Sequence, residues 1–208
     1  MAAMAESGVV TRPRLVLASA SPRRLELLLQ VGVTPVVVPA DLDETPKPDE
    51  EARLLVERLA IEKAATVADG KDLTIGADTV VVVDGDPLGK PSSVDDARAM
   101  LARLSGRRHQ VMTGVAVVCN GHSRSSVEIA EVDVRVLSAE DIDWYLATGE
   151  WAGKAGAYAI QGAFGLLVER IEGNYQAIVG LPLHTLDLLL DGYGRPLRTW
   201  STASVGPL

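Results

Sequence analysis

Short apolar runs alternate with stretches of helical periodicity along most of the chain. The short apolar run at residues 15–18 predicts a buried strand, and runs with β-branched residues predict further strands at 35–39, 74–83, 110–119 and 127–137. Apolar residues at helical spacing predict a helix after Ser21 and further helices at 51–68, 93–104, 138–149 and 182–190. The run at 74–83 is nearly continuous, which is typical of a central strand buried on both faces.

Turn signals between neighbouring strands indicate a mixed sheet. The polar stretch 120–126 joins two strands that we expect to be antiparallel, and Asp-Gly-Asp-Pro at 84–87 predicts a hairpin loop. Residues 166–171 and 175–179 predict a final hairpin with its turn at 172–174. The expected fold class is therefore α/β, with a mixed β-sheet flanked by helices.

The length of 208 residues suits one domain with a sizeable core. We expect residues 1–12 to be a disordered lead-in, 13–192 to form the catalytic domain and 193–208 to be a flexible tail. No apolar run approaches the ~20 residues that span a bilayer, and the first dozen residues lack signal-peptide features. The single cysteine, Cys119, cannot form an internal disulfide. These features predict a cytoplasmic protein without a membrane partner.

The formal net charge of −8 disfavours sequence-independent binding of polymeric nucleic acid, which needs a basic surface. The same charge repels small polyphosphates at long range. Any phosphate site must therefore be built locally from clustered lysines and arginines.

Residues 21–24 read Ser-Pro-Arg-Arg directly after the first strand. Ser21 suits the N-cap of a helix and Pro22 its first position. Arg23 and Arg24 lie in the first turn, where helices favour acids rather than cations. Two cations beside free backbone N–H groups make a candidate phosphate site. The alternative is that both arginines are solvated and the serine only caps, and the residues alone leave both open.

Asp78 interrupts the most apolar strand, and a buried acid needs a cleft or a cationic partner. Lys63 could equally be an ordinary surface lysine of its helix. Residues 85–91 resemble a P-loop but are one residue short, with proline where Ser or Thr would hold magnesium, so we reject that interpretation. Lys90 can still reach a phosphate. The glycine-rich loop 150–162, which carries Lys154 and Gln161, lets the backbone approach a ligand closely.

The remaining polar candidates fall into two groups. The histidines are scattered and are expected to be structural, and the sequence contains no Cys/His metal cluster. The candidate phosphate ligands are Ser21, Arg23, Arg24, Lys63, Lys90 and Lys154, and the candidate metal ligands are Asp43, Glu44 and Asp78. A triphosphate with Mg²⁺ or Mn²⁺ fits this excess of cations over carboxylates. Asp78 is the candidate base that orients the attacking water.

Several ordered motifs resemble the Maf family of nucleotide pyrophosphatases, once described as septum-formation inhibitors. The motifs are SASPRR at 19–24, DLDETP at 41–46, LAIEKA at 59–64, GADT at 76–79, GKP at 89–91, LSG at 104–106, KAGAYAIQG at 154–162 and GLP at 180–182. They keep their order over roughly residues 14–190, and together they are far more specific than any one of them.

The resemblance implies cleavage between the α- and β-phosphorus atoms, giving a nucleoside monophosphate and pyrophosphate, with the aspartate at position 78 as proton acceptor. It also implies an elongated fold of two lobes with the active site in the cleft between them, often as a homodimer. Arg23, Thr79 and Gln161 match the branch of the family that prefers dTTP and UTP. Trp151 departs from the small or apolar residue expected in that loop, which leaves the shape of the base pocket open.

Two other functions remain alternatives at this point. The chain could be a nucleotide-binding regulator of cell division that needs no turnover. Asp78 favours a hydrolase instead, because an anion beside a triphosphate weakens binding unless a metal lies between them. A purine-selective inosine triphosphatase of related fold lacks support from the Ser-Pro-Arg-Arg motif.

Overall fold

The computed structural model describes residues 13–202, so the lead-in expected at 1–12 lies outside the described residues. This part of the chain is a mixed α/β structure with seven strands and six α-helices. The strands are β1 (Leu15–Leu17), β2 (Val36–Val37), β3 (Leu73–Val83), β4 (Asp86–Leu88), β5 (Arg108–Cys119), β6 (His122–Val134) and β7 (Val168–Glu172). The helices are α1 (Pro22–Gln30), α2 (Ala52–Val67), α3 (Val94–Leu104), α4 (Ala139–Ala147), α5 (Tyr175–Val179) and α6 (Leu183–Asp191).

All seven strands belong to one sheet with the order β2-β1-β3-β5-β6-β7, and β4 pairs with β3 beside this path. The pairs β2–β1 and β1–β3 are parallel, whereas β3–β5, β5–β6, β6–β7 and β3–β4 are antiparallel. The predicted mixed sheet with β3 at its centre is therefore confirmed. Among residues 13–202 no helix is both long and apolar enough to cross a bilayer.

One edge of β3 is left open in its middle. β1 pairs with residues 73–75 of this edge, and β4 pairs with residues 81–83. Residues 76–80 lie between these two neighbours, while their other edge pairs continuously with β5. Crevices where the connectivity of an α/β sheet diverges are common ligand sites. This gap contains the motif Gly-Ala-Asp-Thr.

The two faces of β3 bury different side chains, because successive residues of a strand point to opposite faces. Val80 and Val82 pack against Val56 of α2 in a small cluster. Ala77 and Val81 belong to the main core on the other face. Asp78 therefore lies on the α2 side of the sheet, and Thr79 on the side of the main core.

Two glycines allow α2 to lie directly on the sheet. A Cβ at Gly76 would come 2.0 Å from the carbonyl oxygen of Ala60, and a Cβ at Gly114 would come 2.2 Å from that of Val56. Both distances are far below van der Waals contact, so only glycine permits this approach of helix to sheet. The approach fixes the height of α2 above β3.

Gly76→Ala is expected to lower the free energy of unfolding by about 1–3 kcal/mol, because α2 must move away from β3. Gly89→Ala is the matched control, since a Cβ at Gly89 meets no atom within 4 Å. Urea denaturation of both variants measures the difference. Equal free energies of unfolding for the two variants would show that α2 can move away from β3 without loss of stability.

Three predicted elements need correction. Residues 175–179 form helix α5 rather than a strand, because the side chain of Asn174 accepts hydrogen bonds from the backbone N–H groups of Gln176 and Ala177 and caps a helix. The final hairpin is absent as a result, and β7 pairs with β6. Strand β6 begins at His122 rather than at 127, because Asn120 and Gly121, with φ of 50° and 75°, form a two-residue turn.

The chain after α6 also differs from the expected loose tail as far as residue 202. Residues Leu197–Trp200 form a 3-10 helix, and Leu197 is buried in the main core. Ser201 then forms an antiparallel bridge with Val33. The segment was predicted to be loose because most of its residues are polar or glycine, but Leu197 and Trp200 pack against the main core.

Candidate active site

A cavity of about 380 Å³ opens at the gap in the sheet between β1 and β4. It brings together the predicted polar residues from distant parts of the chain, with one exception. The predicted residues that line it are Ser21, Arg23, Arg24, Glu44, Lys63, Asp78, Thr79, Lys90, Lys154 and Gln161. The exception is Asp43.

Lys63 lies between two carboxylates in this cavity. Its Nζ is 2.6 Å from Oδ1 of Asp78 and 2.7 Å from Oε1 of Glu44. The buried positions of α2 are Leu55, Val56, Leu59, Ala60, Lys63 and Ala64, so the lysine continues the apolar stripe of the helix. Because that stripe faces the sheet, Lys63 points at Asp78 and not into solvent. The alternative of an ordinary surface lysine is excluded.

Glu44 joins two lysines. Its Oε2 is 3.2 Å from Nζ of Lys90, while its Oε1 contacts Lys63. Partial burial opposes ionisation, but the hydrogen bond and charge of Lys63 and the charge of Lys90 together lower the pKa of Glu44. The carboxyl therefore stays ionised near neutral pH.

The predicted trio of carboxylates does not assemble, because Asp43 is exposed outside the cavity. Oδ1 of Asp43 accepts hydrogen bonds from the backbone N–H and the hydroxyl of Thr45, at 2.9 and 2.5 Å. These bonds lower the pKa of Asp43 and hold its carboxylate in its own turn. Within residues 13–202 no group of three or more acidic, histidine or cysteine side chains is arranged to hold a metal.

Glu44 and Asp78 nevertheless fit a metal of the predicted kind. Mg²⁺ is usually bound through one or two carboxylates, with waters and substrate phosphates completing its shell. These two carboxylates, both paired with Lys63 in a cation-lined cavity, would provide the two protein ligands. The oxygen-only donor set suits Mg²⁺ or Mn²⁺ rather than a softer metal.

Arg24 is held by three separate segments. Its Nε donates to the carbonyl of Gly180 at 2.9 Å, Nη1 to Oγ of Ser19 at 3.0 Å, and Nη2 to Oγ1 of Thr79 at 3.3 Å. Burial lowers the pKa of Arg24, and the charge of Asp78 opposes this shift. The alternative of a solvated Arg24 is excluded. Ser19 was missed from sequence, although it begins the same Ser-x-Ser motif.

Arg23 and Lys154 add two further positive charges to the lining of the cavity. Nε of Arg23 is 3.5 Å from the carbonyl oxygen of Val179, and Nζ of Lys154 is 3.0 Å from that of Ala152. Burial lowers the pKa of Lys154, and the charge of Arg23 lowers it further. Neither cation has a carboxylate within ion-pair distance among the described residues. Their mutual repulsion would be relieved by a bound anion.

Ser21 does not cap α1 with its side chain, contrary to the prediction. Its backbone N–H donates to Oγ of Ser19 at 3.2 Å, and its own Oγ is buried without a protein partner in the described part of the chain. A buried hydroxyl normally has a hydrogen-bond partner. Because this hydroxyl lines the cavity beside the first turn of α1, it provides a free donor for a ligand oxygen.

The loop that carries Gln161 is held by a hydrogen bond to the side chain of Glu150. Oε2 of Glu150 accepts a hydrogen bond from the backbone N–H of Ala163 at 2.9 Å. A Cβ at Gly162 would lie 2.1 Å from this same carboxylate oxygen, so the glycine permits the contact. Gln161 itself is exposed and lines the cavity.

Trp151, which departs from the family pattern, does not line the cavity. Its Nε1 donates to the carbonyl of Leu146 at 3.1 Å, and its ring packs against the main core. His109 is structural, as predicted. Its Nε2 is 2.8 Å from the hydroxyl of Tyr158, and burial lowers the pKa of His109 to about 4.

Clustered cations, an unpartnered hydroxyl and two ionised carboxylates at a gap in an α/β sheet define a protein built to bind a phosphorylated ligand. The family model described as "Maf-like protein" matches residues 14–193. The chain belongs to the Maf family.

Proteins named dTTP/UTP pyrophosphatase are similar to this chain over most of its length. The one from Hahella chejuensis is 48% identical over 195 residues, which cover 91% of this chain and 96% of the relative. The one from Anaeromyxobacter dehalogenans strain 2CP-1 is 50% identical over 189 residues, 89% of this chain and 96% of the relative. That from Symbiobacterium thermophilum is 47% identical over 188 residues, 89% and 97% of the two chains.

Proposed function

We propose that this chain is a nucleoside triphosphate pyrophosphatase that hydrolyses dTTP and UTP to the nucleoside monophosphate and pyrophosphate. The names of its relatives support the substrates. The observation that carries the reaction is the contact of Asp78 with Lys63, 2.6 Å apart in a cavity lined by further cations. A carboxylate held there can accept a proton from water beside a bound phosphate.

The substrate is proposed to lie across the open edge of β3, in the cleft between two lobes of an elongated molecule. Its phosphates would contact the cation-rich side, where the ligands are Ser21, Arg23, Arg24, Lys63, Lys90 and Lys154. Its base would lie against the apolar part of the cavity lining, which includes Val81, Ile160 and Ile178. Apolar walls with a few polar groups are typical of pockets that hold a planar ring.

Hydrolysis would then depend mainly on positioning and on charge stabilisation. Asp78 takes the proton of the attacking water, and Lys63 keeps its carboxylate in place. Arg24 and Lys90 stabilise the charge on the phosphate oxygens. Mg²⁺ or Mn²⁺, held by Glu44 and Asp78, would neutralise the charge of the phosphates. A homodimer, which the family resemblance implies, and a cytoplasmic location, which the sequence features indicate, stay predictions.

The proposed function is tested by measuring pyrophosphate release from dTTP, UTP, CTP, dATP and GTP, with Mg²⁺ and with excess chelator. We expect dTTP and UTP to be hydrolysed fastest, and all activity to stop with the chelator and return with Mg²⁺ or Mn²⁺. Tight binding of UTP without turnover would instead support a regulatory nucleotide-binding protein. A preference for purine triphosphates would contradict the proposed substrates.

Gln161→Glu is expected to lower kcat/KM for UTP and dTTP by about 10- to 200-fold. The change keeps an acceptor but removes the amide donor, so one carbonyl of the base loses its partner. The measurement is the ratio of kcat/KM for UTP to that for GTP, since a poor purine substrate should change much less. Gln30→Glu, the same change at an exposed position of α1, is the control. An equal fall for both substrates would assign Gln161 to the phosphates or to the loop.

A further inference from the structure

The two carboxylates that fit a metal already have lysine partners. Nζ of Lys63 is 2.7 Å from Oε1 of Glu44 and 2.6 Å from Oδ1 of Asp78. The other oxygen of Glu44, Oε2, is 3.2 Å from Nζ of Lys90. Within residues 13–202, Oδ2 of Asp78 is the one oxygen of this pair without an ammonium partner. A metal ion that binds both carboxylates must therefore compete with a lysine for Glu44.

Lys63 is the stronger of the two competitors because it is buried. Its side chain is 9% exposed, whereas that of Lys90 is 62% exposed. An exposed ion pair contributes little to stability, so Lys90 can turn into solvent at low cost. An ammonium group that loses its partners in a buried place is strongly destabilising. Lys63 therefore stays with Glu44 and Asp78 unless another anion replaces them.

The charges around this pair also act against a free divalent cation. The lining of the cavity contains more cationic than acidic side chains, namely Arg23, Arg24, Lys63, Lys90 and Lys154 against Glu44 and Asp78. A cleft lined by an excess of one sign repels ions of that sign and attracts ions of the opposite sign. Free Mg²⁺ is therefore repelled, whereas a triphosphate and its metal complex, which both carry a negative net charge, are attracted.

A bound triphosphate reverses this competition by giving Lys63 a new partner. A lysine ammonium group has three donors and no acceptor, so it can bond to a phosphate oxygen in place of Glu44. The carboxylate of Glu44 is then available to a metal carried by the same phosphates. Because each ligand removes an obstacle to the other, the affinities for metal and nucleotide are coupled, and the coupling is the same in both directions.

We propose that Lys63 excludes free divalent metal from the empty site, so that the metal binds only together with the nucleotide. In the empty site its ammonium group neutralises Glu44 and Asp78. In the occupied site it turns from Glu44 to a phosphate oxygen. This inference rests on the proposed function and deepens it by assigning how the metal is admitted. The metal requirement is then met by a metal–nucleotide complex and not by a resident ion.

Lys63→Met tests the proposal through the binding of Mn²⁺ alone, which needs no turnover. Methionine fills the same buried position without the ammonium group, so both carboxylates become available to a metal. We expect the affinity for Mn²⁺ without nucleotide, measured by electron paramagnetic resonance of the free ion, to rise at least about 10-fold. Lys71→Met removes an exposed lysine that contacts neither carboxylate, and its affinity for Mn²⁺ should stay within about 3-fold of that of the unmodified protein.

A purely structural role of Lys63 would give a different result. Lys63→Met would then lose stability without any gain in affinity for Mn²⁺, and this outcome would overturn the proposal. An equal gain in Lys71→Met would also overturn it, since total charge alone would then control the metal. The gain should disappear when Asp78→Asn is added to Lys63→Met, because the new Mn²⁺ site uses that carboxylate. A gain that persists in the double variant would place the ion elsewhere and contradict the proposal.

The unmodified protein gives a test that does not depend on the folding of Lys63→Met. Without nucleotide, its affinity for Mn²⁺ should match that of Asp78→Asn within about 3-fold, because Asp78 holds no resident metal. Weaker binding of Mn²⁺ by Asp78→Asn would reveal a resident ion and overturn the inference, even if the unmodified protein hydrolyses UTP. Failure of the unmodified protein to hydrolyse UTP would refute the proposed function instead, so the two failures are distinguishable.

Discussion

Asp78→Asn is expected to lower kcat for UTP by at least about 10²-fold while the protein stays folded. Asparagine is nearly isosteric and still offers an oxygen to Nζ of Lys63, which lies 2.6 Å from Oδ1 of Asp78. It cannot take up a proton at neutral pH, so the attacking water loses its base. Binding of UTP should survive or tighten, because a negative charge near the phosphates is removed.

Asp43→Asn is the matched control for this variant. Asp43 belongs to the same acidic family motif as Glu44, but its carboxylate accepts from Thr45 outside the cavity. We expect less than about a 3-fold change in kcat, since the substitution touches no group that contacts substrate. Near-normal turnover by Asp78→Asn would move the catalytic role elsewhere, and Glu44 is the next candidate.

Lys63→Met is expected to lower kcat/KM for UTP by at least about 10²-fold. Methionine fits the apolar stripe of α2, but it removes the ammonium group that lies within 2.7 Å of Glu44 and Asp78. The two carboxylates then repel each other and also repel the phosphates. Because a phosphate ligand and the support of the base are lost together, we expect KM to rise as well as kcat to fall.

The stability of Lys63→Met should also fall, because the carboxylate of Asp78 is left partly buried without its partner. Glu44 remains in contact with Lys90 and is 41% exposed, so its share of this loss is small. Lys71→Met removes an exposed lysine just before β3 and is the control for the loss of one positive charge. Unchanged kcat/KM in Lys63→Met would show that the lysine belongs to the fold alone.

The parts of the fold that were predictable from sequence are those that depend on local pattern. The apolar run of β3 gave a central strand, and the acid within it gave the candidate base at Asp78. Lys63 was left open as a possible surface lysine, although it takes a buried position in the otherwise apolar stripe of α2. The motif at 19–24 predicted that Arg23 and Arg24 belong to the site, and both line the cavity. The side chain of Ser21, however, has no hydrogen-bond partner among the described residues and does not cap the helix.

The features that were missed depend on tertiary contacts or on short-range bonds that compete with propensity. Residues 175–179 have the composition of a strand, but two hydrogen bonds to Asn174 start a helix there. Asp43 and Glu44 are neighbours in sequence, yet only Glu44 reaches Lys63, because Asp43 bonds to its own turn. The contact of Thr113 with Thr79 gives no local signal either, since it follows from the register that places the two residues opposite each other.

The central claim is that this site breaks the bond between the α- and β-phosphorus atoms of a pyrimidine triphosphate. The most direct measurement is a ³¹P NMR time course of UTP hydrolysis with Mg²⁺, run in parallel with Asp78→Asn. We predict that UMP and pyrophosphate appear together in equal amounts and that the variant forms them at least about 10²-fold more slowly. Formation of UDP and orthophosphate by the unmodified protein would contradict the account.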